Sequence, residues 1–182
     1  MAVVVEDGSG LSTADTYISV ADADTYISTY VRNSSTWTSL GTAAKEQALK
    51  EGTQSLDLLY GQRFVGYRRN KDQSLAWPRT AGYDTDGYAV DGTVVPSAVE
   101  NATVELAWRH VNDGGPSTTT GDTTGVIADS SAGTNISSES VSVGSVTSTT
   151  QYAGIKSGSK VFRKISLILS KLIVPEGAIF RS

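Results

Sequence analysis

Apolar side chains recur every three or four residues in four stretches of this chain, a spacing that predicts four helices. Val20, Ala23, Ile27, Tyr30 and Val31 fall on one face of a helix over about 20–31. Ser19 stands at its start and Asp22 three positions on, a Ser-x-x-Asp variant of the capping box. Asn33-Ser34-Ser35 reads as its end. Thr42 is the cap candidate for a second helix over about 43–60, with Ala44, Ala48, Leu49, Gly52, Leu56, Leu59 and Tyr60 on one face and Gly61 as its stop. A glycine inside a helix costs about 1 kcal/mol, so Gly52 predicts the close approach of another helix. Pro96 suits the first position of a third helix. There Val99, Ala102, Thr103, Leu106, Ala107 and His110 line one face to about 111, and Gly114-Gly115-Pro116 ends it. A fourth helix is expected over Val161–Val174, with Val161, Ile165, Ile168, Leu169, Leu172 and Ile173 inward, Leu167 widening the apolar face, and Pro175 as the stop.

Between these helices the pattern changes. Val3-Val4-Val5 reads as a short strand and Glu6-Asp7-Gly8-Ser9-Gly10 as a turn. Leu75-Ala76-Trp77-Pro78-Arg79-Thr80 sets an aromatic, a helix stop and a cation in a row; Gln73 to Trp77 reads as a short extended piece before the break. Pro78 fixes its own φ and keeps Trp77 out of the helical region, so the indole is expected to fill a core or an interface. Asp84-x-Asp86-Gly87 and Asp91-Gly92 read as turns. A calcium loop of the EF-hand register would need Gly at position six and Glu at twelve; counted from Asp84 these are Ala89 and Val95.

From Asp113 to Gly154, 25 of 42 residues are Ser, Thr or Gly. Up to Thr134 this predicts a loop or flexible arm. Beyond it, Ile136–Val143 and Val146–Tyr152 have strand composition around Gly144 and predict a hairpin. A hairpin with so little apolar surface needs something else to pair or pack against. The expected architecture is mainly α: a small helical bundle of about four helices with a β-hairpin insertion and an extended C-terminal arm. Residues 1–112 form a helical core with the Trp-Pro-Arg loop, 113–135 a Ser/Thr/Gly-rich insertion, 136–154 the hairpin, and 155–182 the last helix and arm.

Composition narrows the function. The 182 residues carry a net charge of −4, which speaks against bulk nucleic-acid binding. With no Cys there is no disulfide, thiolate nucleophile or Cys-ligated metal. The longest apolar run, Ile165 to Val174, is broken by Ser166, Ser170 and Lys171 and is too short to span a bilayer. The first residues lack a basic leader, so an intracellular product is expected. His110 is the lone His and reads as a packed helix-end residue. Gly8-Ser9-Gly10 lacks the third Gly of a dinucleotide fingerprint. Glu100 and Glu105 are about 140° apart on a helix, a poor pair for glycoside hydrolysis. No enzyme, cofactor or metal is expected. Arg63, Arg68, Arg69 and Lys71 cluster with Phe64 and Tyr67 in the one basic, aromatic segment. A DNA-facing use would stack bases on the two rings and set the cations on phosphates. A solvated or subunit-facing loop is the alternative, and then replacing Arg68, Arg69 and Lys71 should leave folding and subunit assembly nearly intact. The N-terminal 31 residues hold acids and the last 27 hold cations, which suits head-to-tail contact between subunits.

Taken in order, Val5-Glu6-Asp7-Gly8-Ser9-Gly10-Leu11, Ala14-Asp15-Thr16-Tyr17-Ile18-Ser19 with Ala21-Asp22-Ala23-Asp24, Trp37, Lys45-Glu46-Gln47-Ala48-Leu49, Leu75-Ala76-Trp77-Pro78-Arg79, Val95-Pro96-x-Ala98-Val99 and Glu139-Ser140-Val141-Ser142-Val143-Gly144 resemble the tailed-phage head-to-tail adaptor (head completion or connector) family, also labelled DnaT-like. The 113–134 insertion looks longer than that family's pattern. The resemblance implies a virion protein, made in the host cytoplasm, that forms a dodecameric ring under the portal. It would extend the DNA channel, touch the genomic DNA transiently and without sequence preference, and offer the tail hub or nozzle a docking platform. The DnaT-like label implies single-stranded DNA binding in replication instead. Trp77, Pro78 and Arg79 would be the structural anchor. Val174, Pro175, Ile179, Phe180 and Arg181 would dock on the portal, since Ile179 and Phe180 need cover and Arg181 can meet an acidic neighbour.

Overall fold

The computed structural model describes residues 3–32, 34–113, 138–143, 146–151 and 163–174. Its elements in chain order are α1 (Val20–Tyr30), α2 (Ser35–Thr38), α3 (Thr42–Tyr60), β1 (Tyr67–Arg68), β2 (Arg79–Thr80), α4 (Ser97–Asp113), β3 (Ser138–Val143), β4 (Val146–Gln151) and α5 (Arg163–Ile168). The chain is mainly helical, with an antiparallel hairpin, as the periodicity led one to expect. Among the described residues no helix is long and apolar enough to cross a membrane.

The frame is the α3–α4 pair. At Gly52 an added Cβ would lie 2.8 Å from both the Thr103 carbonyl oxygen and the Ala107 nitrogen, so the absent side chain is what lets α4 seat against α3. Two apolar clusters grow on either side of this contact. One gathers Leu56, Tyr60, Phe64, Trp77, Val99, Leu106, Ile165 and Leu169. The other joins Ile27 of α1 and Trp37 of α2 to Leu49, Val104 and Ala107.

Element ends follow local chemistry, with some departures from expectation. The Ser19 hydroxyl accepts from the Asp22 N–H at 3.2 Å and donates to the Asp22 carboxylate at 2.6 Å, so Asp22 returns to the hydroxyl and not to the backbone of the cap. Gly41, not Thr42, occupies the cap of α3, with no side-chain bond. Gly61 does stop α3, in right-handed helical geometry. Pro96 lies one position outside α4, its carbonyl accepting from Val99 and Glu100. Asn33 lies outside the described residues, and Ser35 is more than part of a helix end: α2 begins there, because one turn places Trp37 wholly in the core with its indole N–H on Asp24 at 2.7 Å. Lys45 reaches the same carboxylate at 2.8 Å and lies 5.8 Å above the indole.

Two segments behave less regularly than their apolar pattern. Val3 to Val5 forms no strand; Val5 makes one parallel bridge to Thr16. The last helix ends at Ile168, six residues long, and the chain turns so that Ile173 bridges Phe64. Backbone bonds from Val65 N–H to Leu172 O (2.9 Å) and from Val174 N–H to Arg63 O (2.7 Å) win over further helix. Ile165, Leu169, Leu172 and Ile173 are buried as expected, whereas Leu167 is 64% exposed and adds nothing to the apolar face. Val161 lies outside the described residues. The short β1–β2 ladder, Tyr67 opposite Thr80 and Arg68 opposite Arg79, has no periodic signal in the sequence.

Candidate functional site

The segments richest in unusual residues come together on one side of α3. Glu6, 4% exposed, accepts from Gly8 N–H (3.0 Å) and Gly10 N–H (2.8 Å) on Oε1 and from Leu11 N–H (2.8 Å) on Oε2. One carboxylate thus closes the whole Glu6–Leu11 turn. Gly8 is required there: its φ is +94° and a Cβ would fall 1.9 Å from the Thr93 carbonyl oxygen. Asn70 ties this turn to the next loop, donating to Ser9 O at 2.7 Å and Gly10 O at 3.2 Å.

Trp77 and Pro78, joined by a cis peptide bond, are both buried. Phe64 meets the Trp77 ring edge to face at 5.5 Å between centroids. The loop is held from three directions. Asp57 of α3 accepts from Ala76 N–H at 2.8 Å and from the Tyr17 hydroxyl at 2.7 Å, and that hydroxyl accepts from Trp77 N–H at 3.1 Å. Buried Gln73 accepts from Asn70 N–H (2.9 Å) and donates to Leu75 O (2.8 Å) and Pro78 O (3.1 Å). Arg79 donates to Val65 O (2.9 Å) and Gly66 O (2.7 Å), across the β1–β2 ladder. Burial raises the pKa of the Asp57 carboxyl, and burial followed by the nearby Asp57 charge raises that of Tyr17. Both groups are structural ties, and the Trp-Pro-Arg segment is the piece they hold.

The basic segment stays at the surface, with Arg68 and Arg69 exposed, yet its arginines bond to backbone of their own chain. Arg63 lies 5.7 Å from the Tyr60 ring and donates to Val174 O at 3.4 Å. Arg68 donates to Gln73 O. Arg69 bridges two loops through Gly8 O (3.1 Å) and Gly92 O (2.7 Å). Lys71 is exposed. Of the two rings expected to stack bases, Phe64 is buried against Trp77, while Tyr67 is 75% exposed. Arg68, Arg69 and Lys71 are exposed, as a solvated loop expects, and the two arginines in addition link backbone carbonyls of neighbouring loops by their guanidinium groups.

Asp84 and Asp91 make turns: Asp84 accepts from Asp86 N–H (3.0 Å) and Tyr88 N–H (2.8 Å), and Asp91 from Thr93 N–H (2.8 Å). Among the described residues no group of three His, Cys, Asp or Glu is placed to hold a metal. Val174 is half-buried and joined to Arg63; Pro175, Ile179, Phe180 and Arg181 lie outside the described residues.

One constellation had no sequence signal, because its members are 55 positions apart in the chain. The Ser55 hydroxyl is 2.9 Å from His110 Nε2, and the Glu51 carboxylate is 3.5 Å from His110 Nδ1. They line a groove of about 320 Å³ with Gln54, Leu58 and Leu59. The order of groups matches a Ser-His-Glu relay, and burial lowers the His110 pKa. Yet Ser55 sits in the middle of α3, where neighbouring amide N–H groups bond along the helix and leave no pair aimed at an oxyanion. The trio pins α4 to α3.

Compared with known proteins, residues 1–181 match the model of a family described as "Putative DnaT-like ssDNA binding protein". No curated protein and no solved structure matches the chain.

Proposed function

For this chain, which belongs to the DnaT-like ssDNA binding protein family, we propose a non-catalytic, structural role: a head-to-tail adaptor of a tailed phage, assembled as a dodecameric ring under the portal. There it extends the DNA channel and presents a platform to the tail hub or nozzle. The observation that carries this reading is what the arginines are already bonded to. Arg63, Arg68, Arg69 and Arg79 each give N–H groups to backbone carbonyls of their own chain. A protein that grips single strands needs such groups, and stacked rings, turned to the ligand. With a net charge of −4, transient contact with DNA in a channel fits this surface better than firm binding. The ordered set of motifs from Val5 to Gly144 supports the same reading.

Single-stranded DNA binding is the second reading, favoured by the family's description and by the exposure of Tyr67 and Lys71. The two readings separate in one experiment. The purified chain is offered to portal-bearing heads that lack it, and in parallel to a labelled oligo-dT at low and high salt. The adaptor reading expects a ring bound to the heads, restored tail joining, and only weak DNA affinity. Nanomolar, salt-sensitive affinity that disappears in a Tyr67→Ala, Lys71→Ala variant, with no head binding, overturns it.

A further inference from the structure

The hairpin holds two strand edges that the rest of the described chain leaves open. Among the described residues β3 pairs with β4 alone, over six consecutive residue pairs from Ser138–Gln151 to Val143–Val146, with no bulge. Two residues separate Val143 from Val146, so the closing pair is a hydrogen-bonded one. Hydrogen-bonded pairs then alternate: Val143–Val146, Val141–Ser148 and Glu139–Thr150 bond inside the hairpin. Ser138, Ser140 and Ser142 on one edge, and Thr147, Thr149 and Gln151 on the other, direct backbone N–H and C=O groups outward.

Free edges of this length are normally guarded by Lys, Pro, a bulge or inward charge. β3 and β4 contain no Lys, Arg or Pro, and Glu139 is their one charged residue. A two-stranded hairpin alone is marginally stable in water. We propose that in the ring β4 of each copy pairs with β3 of the next, so that the hairpins join into one closed antiparallel sheet. The inference rests on the ring reading above. Rotation about a ring axis keeps every β3 pointing the same way along that axis, so β4 meets the neighbour's β3 antiparallel without adjustment. The two edges have equal length and lie on opposite sides. A second copy on each side satisfies both at once and closure leaves none free, whereas a different protein would satisfy one.

The test compares the full-length chain as monomer and as ring on portal-bearing heads, by amide hydrogen exchange read on peptides covering 138–151. Exchange is expected to slow about 100-fold in the ring as the outward amides gain partners. A Ser140→Pro, Thr149→Pro variant removes two outward N–H groups while leaving the hairpin's internal bonds, and should keep the melting of the helical body but lose the ring. The paired Ser140→Thr, Thr149→Val variant keeps the N–H groups and should keep the ring. Rings that form while 138–151 exchanges as in the monomer overturn the inference and leave the adaptor role standing. Protection that appears on portal without ring formation assigns the edge to another protein and also overturns it. Absence of any ring overturns both.

Discussion

Glu6 accepts three backbone N–H groups from a buried position, so removing its carboxylate strands three donors at once. Unmet donors and lost charge-assisted bonds put the expected loss for Glu6→Ala at about 2–4 kcal/mol, read as a lowered urea midpoint; Glu6→Gln, with one acceptor oxygen, should fall between. His110 gives a pH-dependent counterpart. Its folded pKa lies below the ordinary value of 6.5, from burial, with Glu51 pulling the other way. The unfolded chain therefore binds this proton more readily, and the stability held above pH 6.5 declines as pH falls through the folded value. His110→Gln, which can still bond Ser55, should flatten that part of the melting-temperature profile between pH 7.5 and 5.5. At this scale the sequence was readable where one residue limits its own backbone: Pro78 made the burial of Trp77 legible. The partners of Glu6 were not, since they depend on positive φ at Gly8 and Gly10, and composition records only that a turn exists.

Helices α1, α3 and α4 were legible because each shows several apolar positions on one face and a recognisable stop. Gly52 could be read as a contact point, and the contact is with α4. That yields a prediction against simple propensity. Ala favours a helix by about 1 kcal/mol over Gly, yet here its methyl would meet backbone atoms of α4 that cannot move separately. Overpacking of that kind costs about 1–3 kcal/mol; Gly52→Ala should lower the melting temperature, and a rise would show that α4 can shift away. α2 and the truncation of α5 were hidden for different reasons. A single turn is too short to show a period, and the bonds that divert residues 172–174 come from Arg63 and Val65, more than 100 positions earlier.

Across the whole molecule, the cations divide by what they hold. Arg69 links the turn at Gly8 to the one at Gly92, while Lys71 stands exposed in the same segment. Arg69→Ala should destabilise by about 1–3 kcal/mol, and Lys71→Ala by less than about 0.5 kcal/mol; equal melting of the two would show that the Arg69 bonds do not hold the two turns together. Sequence spacing located this basic segment but not its partners, because Gly8, Gly92 and Val174 reach it only through the fold. The site's anchor was half visible: Trp77-Pro78-Arg79 stood out, whereas Tyr17 and Asp57, which hold it, read as ordinary members of their segments.

The backbone bond from Val174 to Arg63 O, with the Arg63 guanidinium on Val174 O, also fixes a mechanical path. Tension applied beyond residue 174 enters the body at Arg63, three residues after the end of α3. While those bonds hold, the load passes into the longest helix, locked to α4 at Gly52, and α5 is shielded from it. Pulling on that end should therefore meet a first resistance at the Val174–Arg63 bonds before it peels the short last helix.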